Sequence, residues 1–93
     1  MQALEAIRQQ IDKLDLELLE VLRKRAIEID KLNQIKQAAK QQAYDAKREH
    51  DILNRIQSDN KSLYNTAEIC SIYKSIFKAS IILQHRLRQP TED

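Results

Sequence analysis

Two cations interrupt an apolar stripe, and their spacing is the first sign of chemistry in the sequence. From Leu4 onward apolar residues recur at steps of three and four (Leu4, Ile7, Ile11, Leu14, Leu18, Val21, then Leu32 and Ile35), which is the seam of a long helix. The heptad calls for an apolar residue at position 25, and Arg25 stands there. Lys36 follows eleven residues later. At about 100° per residue, eleven steps return to within about 20° of the same direction, with the Cα atoms about 16 Å apart. Two long side chains leaning inward from one face can hold a small anion between them. Arg8, seventeen residues before Arg25, sits about 100° round the helix and about 25 Å away. It cannot serve that site within its own chain, but it can serve a partner's.

Two further groups lie beside apolar runs. Asp45, Arg48 and Glu49 share one face of a helical first turn, by their spacings of three and four. Ser80 takes a core position on the seam Ile69, Tyr73, Ile76, Ser80, Leu83, Leu87, and Gln84 lies one turn below it. Each residue also has a plainer reading. A lone Arg or Lys is usually a solvated charge, Asp45 suits a helix cap, and Ser80 suits a bond to its own helix carbonyl. His50 and His85 fit no metal-ligand spacing and read as surface residues, and Cys70 reads as a small core hydrophobe.

Three helices can position these groups: about 3–41, about 46–58 and about 66–88, in a single domain spanning 1–93. Asp45 would cap the second helix, and Asn65 with Glu68 would open the third as a capping box. The turns fall in Gln37 to Tyr44 and in Ser58 to Ser62, and Pro90 marks the end of the third helix. The 93 residues hold no Gly, one Pro and one Cys. The composition disfavours β-sandwich and α/β folds and excludes Gly-rich phosphate loops, intramolecular disulfides and Cys-based metal sites. A net charge of +2 is too balanced for a nucleic-acid surface. Neither a membrane span nor a signal-peptide core is visible. The fold class is all-α, and the compartment expected is the cytoplasm.

The helix lengths do not close on themselves. Helices of about 20 and 35 Å cannot cover the seam and flanks of one near 60 Å. A stripe of that length needs a second chain, so an obligate homodimer with paired long helices is expected.

The ordered set Arg8-x-x-Ile11-Asp12-x-x-Asp15, Leu22-x-x-Arg25, Lys36, Asp45-x-x-Arg48-Glu49 and Ser80-x-x-x-Gln84 closely resembles the all-helical, bacterial-type chorismate mutases. The resemblance runs from about residue 4 to residue 85. It implies one long, one short and one medium helix per chain in an intertwined homodimer with two shared sites. It implies conversion of chorismate, a small dianion, to prephenate, without a cofactor or a metal. By the same resemblance Arg25 and the partner's Arg8 clamp carboxylates. Lys36 contacts a carboxylate and the ether oxygen, and Gln84 is the second donor to that oxygen. Glu49 accepts from the ring hydroxyl, Ser80 supports a carboxylate, and Arg48 and Asp45 complete the wall. The loop before Asp45 departs from the family in lacking Pro or Gly. Members also occur as amino-terminal domains of larger enzymes, so fusion to, or association with, another aromatic-pathway enzyme is compatible with the sequence.

The residue types suit that reaction. A unimolecular pericyclic rearrangement requires no nucleophile and no proton shuttle. It gains from holding the flexible dianion in its compact form and from donors at the ether oxygen, where negative charge grows. An amide at position 84 donates without titrating, so activity is expected to be independent of acid. Three alternatives stand: an isochorismate–pyruvate lyase on the same fold, a non-catalytic regulatory or dimerisation domain, and a basic helical nucleic-acid binder, which the charge balance ranks last.

Overall fold

The computed structural model describes residues 1–89 and places three α-helices in them: α1 (Gln2–Ala38), α2 (Ala46–Asp59) and α3 (Thr66–Arg88). No strand occurs among the described residues, and Pro90 lies outside them.

With neither Gly nor Pro to interrupt it, α1 runs for 37 residues. That is about 55 Å at 1.5 Å per residue, and the longest dimension of the chain is 54 Å. The helix closes at Ala38, three residues before the expected end near 41. Lys40 turns into the left-handed region at φ 58°, and two bonds fold the chain back. The Lys40 N–H donates to the Gln37 carbonyl (3.1 Å), and the Gln41 N–H to the Lys36 carbonyl (2.7 Å). This is the Schellman closure, in which glycine usually takes the left-handed position. A side chain there costs about 1 kcal/mol or more, and a chain without glycine places a lysine in it. Periodicity carries no trace of such a stop.

Both other helix starts follow local chemistry. The Asp45 side chain accepts from the Arg48 N–H (3.0 Å). At α3, Asn65 Oδ1 accepts from the Glu68 N–H (2.8 Å), while Glu68 Oε1 accepts from the Asn65 N–H (2.9 Å). Between α2 and α3 the Asn60 side chain knots the loop, accepting from the Ser62 N–H and hydroxyl and donating to the Tyr64 carbonyl.

α3 is the middle element, packed on α1 and on α2, while α1 and α2 do not meet among the described residues. The apolar core is small: Phe77, Cys70 and Ala43 are buried. Tyr73 leans on Phe77 with ring centroids 6.3 Å apart and planes tilted by 58°, a favoured aromatic arrangement. His50 and His85 are exposed.

Only the second half of α1 takes part. From its start to Lys24 every residue is exposed, including Ile7, Leu14 and Val21 at about 60%. The chain exposes 7989 Å², whereas a compact monomer of this mass would expose about 5,600 Å². Its radius of gyration is 16.9 Å, against about 12 Å for a compact domain of this length. Beyond Lys24 the covered face carries Arg25, Ala26, Ile29, Asn33 and Lys36. Ile35, on the apolar stripe, is 68% exposed in the single chain, as are its stripe mates Ile7 and Leu14 at 60%. A straight helix drifts about 20° per heptad away from a 3.5-residue repeat, so the stripe and the face that α3 covers diverge along α1.

Candidate functional site

The second half of α1, the first turns of α2 and the second half of α3 line a half-open cavity of about 120 Å³. Its polar wall is Arg25 and Lys36 from α1, Asp45, Arg48 and Glu49 from the start of α2, and Ser80 and Gln84 from α3. Ile29, Leu32, Ala43, Ile52, Phe77 and Ile81 form the apolar remainder. Seven residues singled out from the sequence, spread over sixty positions, thus face one space.

Bonds between elements already hold three of these side chains. Arg25 Nη1 donates to Ser80 Oγ at 2.7 Å, and that hydroxyl donates to the Ile76 carbonyl at 2.8 Å. Ser80 therefore makes the local helix bond of its plainer reading and also orients Arg25. One contact leaves most of the five-donor guanidinium fork uncommitted. Lys36 Nζ donates to the Ala43 carbonyl at 3.1 Å, in the linker that closes α1. An ammonium has three donors, so two remain.

Gln84 is the most deeply placed polar group of the wall, only 3% exposed. Its Nε2 makes one long contact, 3.4 Å, to the Ser80 carbonyl, and its Oε1 is buried without a partner. An unsatisfied buried polar atom costs about 1–3 kcal/mol. Such a cost is found where function requires the group. Asp45 spends one oxygen on capping α2 and still lines the cavity. Arg48 is exposed and Glu49 half-buried.

Three cations and two carboxylates give this wall a net charge of one positive. Among the described residues, no group of three or more His, Cys, Asp or Glu side chains is arranged to hold a metal ion. Arg8 is elsewhere. It lies on the exposed end of α1, paired with Glu5 at 3.2 Å.

An apolar groove of about 560 Å³ adjoins the cavity and shares Arg25 and Ser80 with it. Leu18 and Leu22 of α1 face Ile72, Ile76, Ala79 and Leu83 of α3 across it. Sequence reasoning passed over three groups near the site: the Ala43 carbonyl, Asn33 and Arg88. Asn33 is polar on the covered face of α1, a signal of the same kind as Arg25, and Arg88 lies one turn beyond Gln84.

The sequence pattern of the chorismate mutase type II family matches residues 7–85. A direct comparison with curated proteins gives no match. Among solved structures, chorismate mutase from Helicobacter pylori in complex with prephenate is similar at a TM-score of 0.88 and 33% identity, covering 98% of this chain and 100% of that one. Form II of the chorismate mutase from Thermus thermophilus superposes with a TM-score of 0.86 at 28% identity, over 92% of this chain and 98% of that one. Form I gives 0.78 and 27%, over 83% and 96%. With the family pattern spanning all three helices and every polar wall residue, the chain belongs to the chorismate mutase type II family.

Proposed function

We propose that the cavity between Arg25, Lys36 and Gln84 is where this chorismate mutase rearranges chorismate to prephenate, and that a second copy completes it with Arg8. The observation that carries this reading is the convergence of seven sequence-selected polar residues, from three helices, on one cavity.

The chemistry asks for a clamp and for donors. Arg25, oriented by Ser80, takes one carboxylate of the dianion. Lys36 takes the other and reaches the ether oxygen. As the C–O bond lengthens, negative charge collects on that oxygen, and Lys36 Nζ with Gln84 Nε2 stabilises it more in the transition state than in the ground state. Glu49 accepts from the ring hydroxyl, and Arg48 and Asp45 close the wall. Clamping also removes the entropy of folding the flexible side chain over the ring.

Charge and size favour a shared site. One chain offers a net single positive charge, and Arg8 of a second copy raises it to two, the match for a dianion. The cavity of one chain, about 120 Å³, is small against the roughly 300 Å³ or more of ordinary ligand sites, as expected of a site whose remaining wall is supplied by another chain. The exposed seam of α1 and the adjoining groove supply the apolar surface that a homodimer buries. No helix among the described residues is long and apolar enough to cross a membrane, and the reading puts the reaction in the cytoplasm.

The test is to add the protein to chorismate, follow loss of the diene absorbance and identify the product by NMR, with Lys36→Ala alongside. The expected result is prephenate from the native chain and a rate about 10²–10³-fold lower from the variant. Salicylate and pyruvate from isochorismate would move the chain to the lyase reaction. No turnover of either compound by a folded dimer would refute the reading.

A further inference from the structure

Asn33 is the most deeply buried polar residue among those described, at 2% exposure, and its partner is not a neighbour on its own helix. Arg88, in the last turn of α3, donates from Nε to Asn33 Oδ1 at 2.6 Å and from Nη1 to the Gln41 carbonyl at 2.9 Å. The same Gln41 residue gives its N–H to the Lys36 carbonyl at 2.7 Å. Two residues on, the Ala43 carbonyl receives Lys36 Nζ at 3.1 Å. Lys36 is thus gripped at backbone and side chain by one short linker, and Arg88 holds that linker from its other side.

The bonding is costly for a purely structural tie. Arg88 is half-buried, and among the described residues it makes no ion pair and its buried Nη2 has no partner. A buried N–H left without an acceptor is destabilising unless the other hydrogen bonds of the group offset it. What these bonds secure is the linker. It has no glycine, carries Lys40 at φ 58°, and connects the last turn of α1 to Asp45. A left-handed lysine leaves such a linker readier to relax than a glycine would.

We infer that Arg88, anchored by Asn33, is a positioning residue that sets the Lys36 ammonium by fixing the Gln41–Ala43 linker. The inference rests on the reading that Lys36 contacts the reacting oxygen, and it extends the site to two residues that do not line the cavity. A displacement on the order of 1 Å at a positioned group can cost up to a hundredfold in rate, so a loosened linker should act on kcat more than on KM.

The experiment is a double-mutant cycle. Arg88→Ala is made in the native chain and in Lys36→Ala, with Arg88→Gln as a second variant should the alanine chain not fold. For each, kcat and KM for chorismate are measured together with hydrogen exchange of the Gln41 amide. The expected result is a fall in kcat of about tenfold in the native background with KM changed less than about threefold, shrinking to less than about twofold in the Lys36→Ala background. Gln41 exchange should accelerate. An unchanged kcat in the native background, or an equal loss in both backgrounds, would overturn the inference, because general destabilisation does not depend on Lys36. If the native chain does not rearrange chorismate, the functional reading fails instead. Gln41 exchange then decides the clasp: faster in Arg88→Ala upholds it, and unchanged overturns it.

Discussion

The two halves of α1 are one continuous helix with one kind of sequence pattern, yet they have opposite surroundings. From Arg25 to Lys36 the helix presents a covered face that carries two cations, both held by bonds to other parts of the chain. From Gln2 to Lys24 its apolar residues stand in the open, and its side-chain bonds are made to neighbours on the same helix. Periodicity decides that a helix forms and which side of it is apolar. It does not decide what covers that side. In this chain α3 covers one half, and on the proposed reading a second copy covers the other and brings Arg8 with it.

The largest expected effect comes from attacking the open half. Leu14→Asp places a charge on the apolar seam and removes, in each copy, a burial worth roughly 1.5–3 kcal/mol. Sedimentation should show monomers at micromolar concentration, with turnover lost although no cavity residue has changed. A fully active Leu14→Asp dimer would mean that the seam is not the interface. In the covered half, Gln84→Ala should lower kcat/KM by about 10²–10³-fold, as removal of an oxyanion donor does, while the oligomeric state stays that of the native chain. Gln84→Glu sharpens the point. A carboxylic acid donates only when protonated, so that variant should work in acid alone, whereas the native rate should stay level between about pH 5 and 8. The smallest effect belongs to the surface of the open half. Arg23 bonds Glu20 at 2.7 and 2.9 Å and holds its carboxyl below the ordinary value. A lowered folded-state pKa stabilises the fold above the ordinary carboxylate pKa and is lost as pH falls through the lower value. Glu20→Gln should therefore lower the melting temperature slightly at neutral pH, less in high salt and not at all in strong acid.

The helices themselves were legible, because caps and apolar steps are local signals. Asp45 and the Asn65–Glu68 pair begin their helices as their side chains dictate. The polar wall was legible in part: Arg25 and Ser80 stand out by interrupting apolar seams, whereas Asp45, Arg48 and Glu49 are at home at an exposed helix start and stand out only in the joint pattern that carries the family resemblance. The end of α1 was not legible. It depends on Lys40 accepting a left-handed conformation, and residue type marks that only when glycine is present. Ile35 belongs to the same apolar stripe as Ile7 and Leu14 and, like them, stands exposed in the single chain. Asn33 and Arg88 went unread for another reason. Their bond spans 55 positions in the sequence, and nothing local to either residue requires the other.

The claim that joins both halves is that each site takes Lys36 from one chain and Arg8 from the other. It is tested most directly by mixing two impaired chains. Arg8→Ala and Lys36→Ala would be unfolded together and refolded, with mixed dimers counted by native mass spectrometry. A shared site gives every mixed dimer one intact cavity. Random pairing makes half the dimers mixed, so activity should recover to about a quarter of the native value, far above either variant alone. Activity no greater than the average of the two separate variants, with mixed dimers present, would contradict the shared site and confine each cavity to its own chain.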